Sequence, residues 1–546
     1  WESDKDGYRS HGSWGAEGDI YIMFFDAKAM TEFFRDKEGT EIAKMLAGDE
    51  KKDDKKDEKK DSVKKVEKIK LDLEGREDRI FRLTRNSGRI GTHFLTEDGK
   101  KLLYIVRLES GYDLCSMDLE DKSVRVLKKG VYGFVPSPDG KNIYISTGGG
   151  ISKMSVNGGE SKSISYAGEY EYKPKAEREY IFDHMWKQVK EKFYDPDLHG
   201  VDWDYYRENY RKFLPYINND VDFAELLSEI LGELNASHTG GRYRYSSGLS
   251  FGTLGVLYDS EYDGDGLKIK EVLPDGALSI ADSEIKAGDI ITSIEGKKIE
   301  AGKDWYQLLT GKAGKKIAIT VKKGGKKETE LFVTPGYSDN ALLYRRWVKM
   351  REAKVKELSG GKIGYVHVQG MDSPSFREVY SKALGKYRTA DALIVDTRHN
   401  GGGWLHDDLV TFLGGKDYVN YQPRGRFIGK DPYSKWSKPS CVLVCEDNYS
   451  DACGFPYAYK ALGIGKLIGA PVAGTMTAVW WEYQINSSIV FGIPQVGSWC
   501  IDEGHYSENH QIEPDILVYN DPASVLRGED RQLEAAVREM LAETKK

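Results

Sequence analysis

The clearest periodic pattern in the chain is an apolar stripe between residues 223 and 234. Apolar side chains recur there at intervals of three and four residues, which predicts the buried face of an amphipathic helix: Phe223, Leu226, Leu227, Ile230, Leu231 and Leu234. The residues from 235 to 241 include Asn, Ser, Thr and a pair of Gly residues, which end helices. We therefore expect a turn there that leaves the ring of His238 free. An alternative is that His238 only satisfies the helix end.

After Leu342, strand-length apolar runs alternate with helical patterns. This alternation predicts an α/β domain with a mainly parallel sheet. The runs are KIGYVHVQ, ALIVDTR, CVLVCED and KLIGAPVAG. Between about residues 252 and 334, shorter alternating segments surround AGDIITSIEG and predict a small separate β domain.

Two similar segments in the first 170 residues, HFLTEDGKKLLYIV and FVPSPDGKNIYIST, repeat an Asp-Gly pair. Asp98-Gly99 and Asp139-Gly140 lie one period of roughly forty residues apart, the length of one propeller blade. We expect the end of a larger β-propeller, since so short a stretch makes only about four blades. Two unrelated hairpins with Asp-Gly turns are the alternative. The mixed-charge run at about 46–68 should be a disordered insertion.

A candidate nucleophile lies in the segment PSCVLVCEDNYSDACGFPYAYKALG. It reads as a buried strand from Cys441 to Cys445, a polar turn and a helix, with Ser450 at the turn. A serine there projects its hydroxyl beyond the sheet, where the first N–H groups of the helix face any developing charge. The alternative is that Ser450 is only a helix N-cap.

Two further segments supply groups that such a nucleophile needs. The strand LIVD ends at Asp396 and opens into Gly401, Gly402 and Gly403, which allow close backbone approach to a ligand. The segment EGHYSENHQIEPDI offers three carboxylates that could orient an imidazole: Glu503, Glu508 and Glu513.

Taken in order, these motifs resemble the tricorn protease homologues, within the C-terminal processing peptidases of family S41. In that family a tetrad of Ser, His, Ser and Glu acts together. The resemblance makes Ser450 the nucleophile, His238 the general base and Glu508 its orienter through or beside Ser237. Glu503 remains the alternative orienter.

The resemblance also implies an oxyanion hole made by the backbone N–H groups of Asp451 and a loop glycine, Gly403. Related processing peptidases use a Ser-Lys dyad, but the stretch PVAGTMTAVWWEY contains no Lys, which favours His238 as the base. Cys453, Gly454 and the TAVWWEY stretch depart from the family pattern, which affects the expected substrate pocket more than the chemistry.

The fold class implied is multidomain. It comprises a partial β-propeller at 1–170 with the charged insertion at about 46–68, and a helical segment at 171–250. A PDZ-like domain at 251–340 and an α/β crotonase-like catalytic domain at 341–546 follow. A PDZ domain binds an extended peptide at a sheet edge; the alternative is that this one only packs between its neighbours.

Other motifs carry less weight. The GLSFG stretch around Ser250 matches the GxSxG elbow of α/β hydrolases, but no strand precedes it and no helix follows, so we expect Ser250 to be dispensable. Two histidine pairs lack HExxH spacing and are interpreted as solvent or loop residues: His505 with His510, and His399 with His406.

Composition sets the outer limits. The net charge of −7 over 546 residues gives no reason to expect nucleic acid as a partner, and no apolar run is long enough for a membrane span. The 5 cysteines, an odd number without a CxxC pair, suggest neither a zinc site nor a disulfide framework. The chain starts at Trp1 without a signal peptide, so we expect a processed or trimmed N-terminus.

The function expected is that of a serine peptidase, an endopeptidase or carboxypeptidase, which cleaves peptides or partly unfolded proteins through an acyl-enzyme and needs no metal or organic cofactor. The alternative is a catalytically impaired scaffold that binds peptides through its PDZ and propeller parts. The resemblance further implies a homo-oligomer, with a hexamer as one form, and a cytoplasmic location, with periplasm or export as the alternative.

Overall fold

The computed structural model describes residues 18–35, 37–49, 71–85, 88–108, 111–244, 248–279, 284–324 and 327–545. The chain divides into two compact units, Trp1–Tyr172 and Lys173–Lys546.

Most of the predicted charged insertion lies outside the described residues. Its first positions were wrongly expected to be disordered, since residues 46–49 end a helix that starts at Lys37. The strong helix formers of the EIAKMLA stretch explain this. None of the described helices combines the length and the apolar composition that a bilayer crossing requires.

Unit 1 is built from two four-stranded antiparallel sheets, each in sequential strand order, β3 to β6 and β7 to β10. A short pair, β1 and β2, and two helices complete it. The elements are β1 Tyr21–Met23, α1 Ala27–Phe33, α2 Lys37–Asp49, β2 Ile80–Arg82, β3 Ile90–Leu95, β4 Lys101–Leu108, β5 Gly111–Asp118, β6 Val124–Lys129, β7 Val131–Pro136, β8 Asn142–Thr147, β9 Gly150–Ser155 and β10 Lys162–Ile164.

The two Asp-Gly pairs form the same turn in the two sheets, between the first and the second strand. Thr96 Oγ1 donates to Asp98 Oδ1 at 2.7 Å, and Ser137 Oγ donates to Asp139 Oδ1 at 2.5 Å. The glycine after each Asp has a positive φ, at 66° and 65°. This equivalence favours a structural repeat over unrelated hairpins, while the propeller itself stays a prediction.

Unit 2 begins with the predicted helical segment. Its elements are α3 Pro174–Lys192, α4 Trp203–Arg211, α5 Asp220–Gly232 and β11 Gly240–Tyr243. The helix predicted from periodicity is confirmed as α5, and all six apolar residues of the stripe are buried. They pack against α3 and against a later strand of the chain.

An antiparallel sheet follows, with strand order β12-β13-β14-β16-β17 and with β15 paired to β14. Its strands are β12 Val256–Tyr258, β13 Leu267–Val272, β14 Ile290–Ile294, β15 Lys297–Lys298, β16 Ile317–Lys323 and β17 Lys327–Val333. Ser250 lies in the stretch before β12, where its carbonyl accepts from Gly311 N at 2.7 Å and Phe251 bridges Thr310. No strand–turn–helix elbow surrounds Ser250 in this described part of the chain.

The rest of the unit is an α/β domain around a parallel sheet of order β18-β19-β22-β23-β28. Its elements are α6 Asn340–Ser359, β18 Ile363–His367, α7 Ser373–Ser381, β19 Ala392–Asp396, α8 His406–Leu413, β20 Val419–Tyr421, β21 Gly429–Asp431, β22 Ser440–Val444, α9 Asp451–Ala461, β23 Lys466–Gly469, β24 Thr477–Tyr483, β25 Ile489–Gly497, β26 Trp499–Cys500, β27 His505–Tyr506, β28 Ile516–Leu517, α10 Pro522–Leu526 and α11 Arg531–Glu543.

The parallel sheet is covered on both faces. Helices α6 and α11 pack on one face, and α7, α8 and α9 pack on the other. Every residue of β18, β19 and β22 is buried, as expected for central strands of a covered parallel sheet. This three-layer arrangement confirms the predicted α/β domain.

A buried charge network closes the carboxyl end of β19. Arg398 Nη2 lies 2.7 Å from Asp396 Oδ2, and its Nη1 lies 2.8 Å from Asp530 Oδ1 at the start of α11. Tyr365 of β18 donates its hydroxyl to Asp396 at 2.9 Å. Because Asp396 is fully buried, its charge depends on Arg398 for compensation.

Replacing Arg398 with Met should therefore lower the free energy of unfolding of unit 2 by about 3–5 kcal/mol, the cost of an unpaired buried charge. Urea unfolding followed by tryptophan fluorescence measures this change. The matched control is Arg527→Met, which removes an ion pair whose side chains are 55% and 39% exposed and should cost less than about 1 kcal/mol. Equal losses in the two variants would contradict the role of Arg398.

Candidate active site

The turn between α5 and β11 carries Ser237 and His238 into the α/β domain. Its backbone bends through Asn235 and His238, whose φ values are 46° and 62°. Strand β11 then pairs antiparallel with β25, with Gly240 opposite Gly492. The helical segment thereby places Ser237 and His238 at the edge of the three-stranded sheet β11-β25-β24.

The Ser237 hydroxyl joins an imidazole to a carboxylate. It donates to Glu508 Oε2 at 2.9 Å and lies 2.9 Å from His238 Nδ1. Ser237 N also donates to Glu508 Oε1. Because the single hydroxyl proton of Ser237 goes to Glu508, the contact between Ser237 Oγ and His238 is a hydrogen bond when Nδ1 carries the ring proton, which Thr477 Oγ1 at 2.9 Å can also accept. This tautomer leaves Nε2 of His238 unprotonated, as a general base requires.

Among the three candidate carboxylates, the structure places Glu508 at this position. Its side chain is buried, and burial raises its pKa, although the two hydrogen bonds from Ser237 act in the opposite direction. Glu503 lies elsewhere, exposed and 3.2 Å from His505 Nε2. Glu513 is exposed, and its carbonyl accepts from Lys460.

Ser450 occupies a strand–turn–helix elbow between β22 and α9. Its φ of 58° and ψ of −125° form a backbone conformation that is costly for a side chain larger than glycine. Although Ser450 holds the N-cap position, its side chain makes no capping hydrogen bond in the described structure, so the capping alternative is wrong for the hydroxyl. Ser450 N donates to Thr475 Oγ1 at 3.1 Å, which fixes the turn and leaves the hydroxyl uncommitted.

The glycine loop approaches this elbow closely. A Cβ on Gly402 would lie 2.5 Å from Ser450 Cβ, and one on Gly403 would lie 2.1 Å from the carbonyl oxygen of Met371. Gly402 N donates to Asn400 Oδ1 at 2.8 Å. Among the described residues, the N–H groups of Gly403 and Asp451 have no hydrogen-bond acceptor. They are the two groups expected to form an oxyanion hole.

Tyr449 joins the turn that carries His238 to the turn that carries Ser450. Its hydroxyl accepts from His238 N at 2.7 Å, and its ring lies 4.7 Å from the imidazole of His238. Within the described residues, no hydrogen bond joins His238 to Ser450. Such bonds are often long in ligand-free sites and tighten when substrate binds.

The environment of His238 favours the neutral imidazole. Burial, assisted by the positive charge of Arg242, lowers the pKa of His238 to about 4. At neutral pH the ring is therefore ready to accept a proton.

Sequence reasoning missed several polar side chains of this site. Thr477 Oγ1 lies 2.9 Å from His238 Nδ1 and 3.0 Å from Ser237 Oγ, while Thr475 and Tyr449 hold the elbow and the base loop. The two threonines belong to the stretch PVAGTMTAVWWEY, whose lack of Lys and whose departure from the family pattern were the features used. The alternation of Thr475 and Thr477, with one residue between them, was the available signal.

The interpretation of His406 as a solvent or loop residue was wrong. Its side chain is 15% exposed and its Nδ1 bonds to the buried carboxylate of Asp451, which also accepts from the backbone N–H groups of Leu405 and His406. Burial disfavours the imidazolium, but the hydrogen bond and charge of Asp451 outweigh it and raise the pKa of His406. This pair ties α8 to α9 directly beside Ser450.

The other paired histidine prediction concerned His505 and His510, whose rings stack 3.8 Å apart on the loop around Glu508.

All five cysteines are free thiols. Two groups of side chains nevertheless hold possible metal-binding atoms within 4.8 Å of one another: His399, Cys445 and Asp447, and Cys500, Glu503 and His505. The sequence suggests no zinc site because it has no CxxC pair, whereas the residues of the first group follow two separate strands.

Comparisons with known proteins match three successive parts of the chain. Residues 174–232 match the tricorn protease C1 domain, residues 252–336 the tricorn protease PDZ domain, and residues 362–518 peptidase family S41.

Full-length relatives extend these matches. Tricorn protease homolog 1 of Streptomyces coelicolor is 28% identical over 508 residues, which cover 87% of this chain and 47% of that protein. Tricorn protease of Thermoplasma volcanium is 27% identical, over 79% of this chain and 43% of its own length. The crystal structure of the tricorn protease superposes with a TM-score of 0.76 at 21% identity, over 88% of this chain and 49% of that one. The chain thus spans about half the length of these relatives.

The close approach of Gly402 to Ser450 predicts that alanine substitutions at two neighbouring glycines have very different effects on the reactivity of Ser450. Gly402→Ala should lower the rate of covalent labelling of Ser450 by a fluorophosphonate at least about 100-fold, because the new methyl group would displace Ser450 from the N–H groups expected to form the oxyanion hole. Gly401→Ala is the matched control, since a Cβ there meets no described atom within 4 Å and its φ is ordinary. Equal labelling of the two variants would contradict the proposed packing.

Proposed function

Because the chain is a homologue of the tricorn proteases with a peptidase family S41 domain, we propose that it is a serine peptidase acting on peptides or partly unfolded proteins. The observation that supports this most strongly is the hydrogen-bonded series from Glu508 through Ser237 to His238, beside an elbow that leaves Ser450 uncapped. A purely structural site would not need a serine whose hydroxyl makes no capping bond at a strained turn.

In the proposed reaction, Ser450 Oγ attacks the carbonyl carbon of the scissile peptide bond, and His238 Nε2 takes the hydroxyl proton. The tetrahedral oxyanion accepts hydrogen bonds from the N–H groups of Asp451 and Gly403, each worth about 3–4 kcal/mol of barrier reduction. The intermediate then collapses to an acyl-enzyme as His238 returns the proton to the leaving amine. Water then attacks the acyl-enzyme in the same way, with His238 as the base, and the carboxylic acid product is released.

Ser237 and Glu508 support the charge that forms on His238. When Nε2 is protonated, Nδ1–H still donates to Ser237 Oγ, and Ser237 still donates to the carboxylate of Glu508. The negative charge of Glu508 therefore stabilises the imidazolium through one intervening hydroxyl. Thr477, in contact with both Ser237 and His238, keeps the ring in this orientation.

Finer features of the family resemblance belong to the same proposal. We infer a crotonase-like catalytic domain from the parallel α/β sheet, and a partial β-propeller from the two equivalent four-stranded sheets of unit 1. The predicted domain boundaries and the homo-oligomer, with a hexamer as one form, stay predictions.

The lowered pKa of His238 predicts the acid limb of the activity profile. Below its pKa, His238 is protonated and cannot accept the Ser450 proton, so the labelling rate should be lost as pH falls through about 4, not through 6.5. Rates measured from pH 3.5 to 8, with fluorescence confirming that the protein stays folded, test this. In Arg242→Gln, removal of the nearby positive charge should move the limb to higher pH. A wild-type limb near 6.5 would rule out the buried base.

The nucleophile itself is tested by a fluorophosphonate probe followed by peptide mass mapping, together with turnover of a fluorogenic peptide panel. Label should appear on Ser450 and fall by at least about 10³-fold in His238→Ala, since the members of the proposed tetrad act as a unit. Ser250→Ala is the control and should react like the parent chain. A folded parent chain that neither labels nor turns over peptides would instead support the peptide-binding scaffold.

A further inference from the structure

A second cluster of reactive side chains lies beside the Ser450 elbow and takes no part in the proposed peptidase reaction. His399 follows β19, and Cys445 and Asp447 follow β22, the neighbouring strand of the parallel sheet. Carboxyl ends of adjacent parallel strands meet at one edge of a sheet, which is where such sheets bind ligands. The cluster therefore joins the loop that carries Gly402 and Gly403 to the turn that carries Ser450.

Asp447 bonds to both other members of the cluster. Its Oδ2 lies 2.9 Å from His399 Nδ1, and its Oδ1 accepts from Cys445 Sγ at 2.7 Å. His399 N donates to Cys445 Sγ at 3.2 Å, so the sulfur and the imidazole are held on the same side. One donor atom from each side chain falls within 4.8 Å of the others.

These three donors suit a thiophilic divalent cation. Thiolate sulfur, imidazole nitrogen and carboxylate oxygen are the ligands that zinc takes in proteins, at about 2.0–2.3 Å. Binding would release the Cys445 S–H proton, so that one thiolate and one carboxylate balance the two positive charges of the ion. Three protein ligands leave the fourth tetrahedral position to water.

The cluster is also accessible. The sulfur of Cys445 is buried at the end of β22, whereas the side chains of His399 and Asp447 are 61% and 63% exposed. An ion can therefore reach the sulfur from the solvent side through the two exposed ligands. Small rotations of these side chains would open the hydrogen bonds to Asp447 and replace them with bonds to the ion.

We propose that Cys445, His399 and Asp447 form a binding site for a divalent cation of the zinc class. The ion cross-links the glycine loop to the nucleophile turn and is not a cofactor of peptide hydrolysis. The second group of donors, Cys500, Glu503 and His505, is a weaker candidate. Its Glu503 and His505 side chains are joined at 3.2 Å, and within the described residues no hydrogen bond joins the sulfur of Cys500 to either of them.

Cobalt provides a spectroscopic test, because a thiolate bound to Co²⁺ gives a sulfur-to-metal charge-transfer band. The full chain, stripped of metal by a chelator, should bind one equivalent of Co²⁺ with this band, and Zn²⁺ should abolish the band by displacement. Cys445→Ser should remove the band. His399→Ala, which removes one exposed ligand at a position whose φ is 65°, should weaken binding by at least about 10-fold.

Cys500→Ser is the matched control and should keep both the band and the affinity, with circular dichroism confirming the fold of each variant. A band that persists in Cys445→Ser, or that disappears in Cys500→Ser, would overturn the assignment. So would a folded parent chain that gives no band with excess Co²⁺, or unchanged affinity in His399→Ala.

Discussion

The pairing of β11 with β25 is the constraint on which the candidate site depends. His238, the proposed general base, lies in a turn after α5, more than two hundred residues before Ser450, and this antiparallel pair holds the turn against the α/β domain. Glycines make the pairing possible. A Cβ on Gly492 would lie 2.4 Å from the carbonyl oxygen of His238, and one on Gly241 would lie 2.6 Å from that of Ala224. The missing side chain of Gly492 lets the His238 turn approach β25, and that of Gly241 lets β11 approach α5.

Burial then sets the chemistry of the groups that this pairing brings together. It disfavours charge on both His238 and Glu508, lowering the pKa of the imidazole and raising that of the carboxyl group. Charge on either side chain is therefore sustained mainly by direct hydrogen bonds. Ser237 supplies those bonds to both, which explains why a hydroxyl, with one donor and two acceptor positions, lies between them.

Local patterns in the sequence predicted much of this arrangement, and long-range contacts account for what was missed. The stripe of α5 and the elbow at Ser450 depend on neighbouring residues, so periodicity and turn composition were enough to find them. The resemblance supplied the role of Glu508, which periodicity alone left open beside two other carboxylates. Thr477 and His406 were missed because each acts through a partner on another element, and no local pattern records that partner.

The same dependence on distant partners links the stability of the domain to the site. Asp396 ends β19, Arg398 compensates its charge, and the chain then runs directly into Asn400 and the glycine loop. Asn400 in turn donates to the carbonyl of Val368 at 2.8 Å and accepts from Gly402 N. The proposed oxyanion loop is therefore anchored on a fully buried ion pair and not on exposed turn contacts. Because water cannot replace the partner of Asp396, a shift in this network would displace the loop backbone, so the precision of the site depends on the buried charges beneath it.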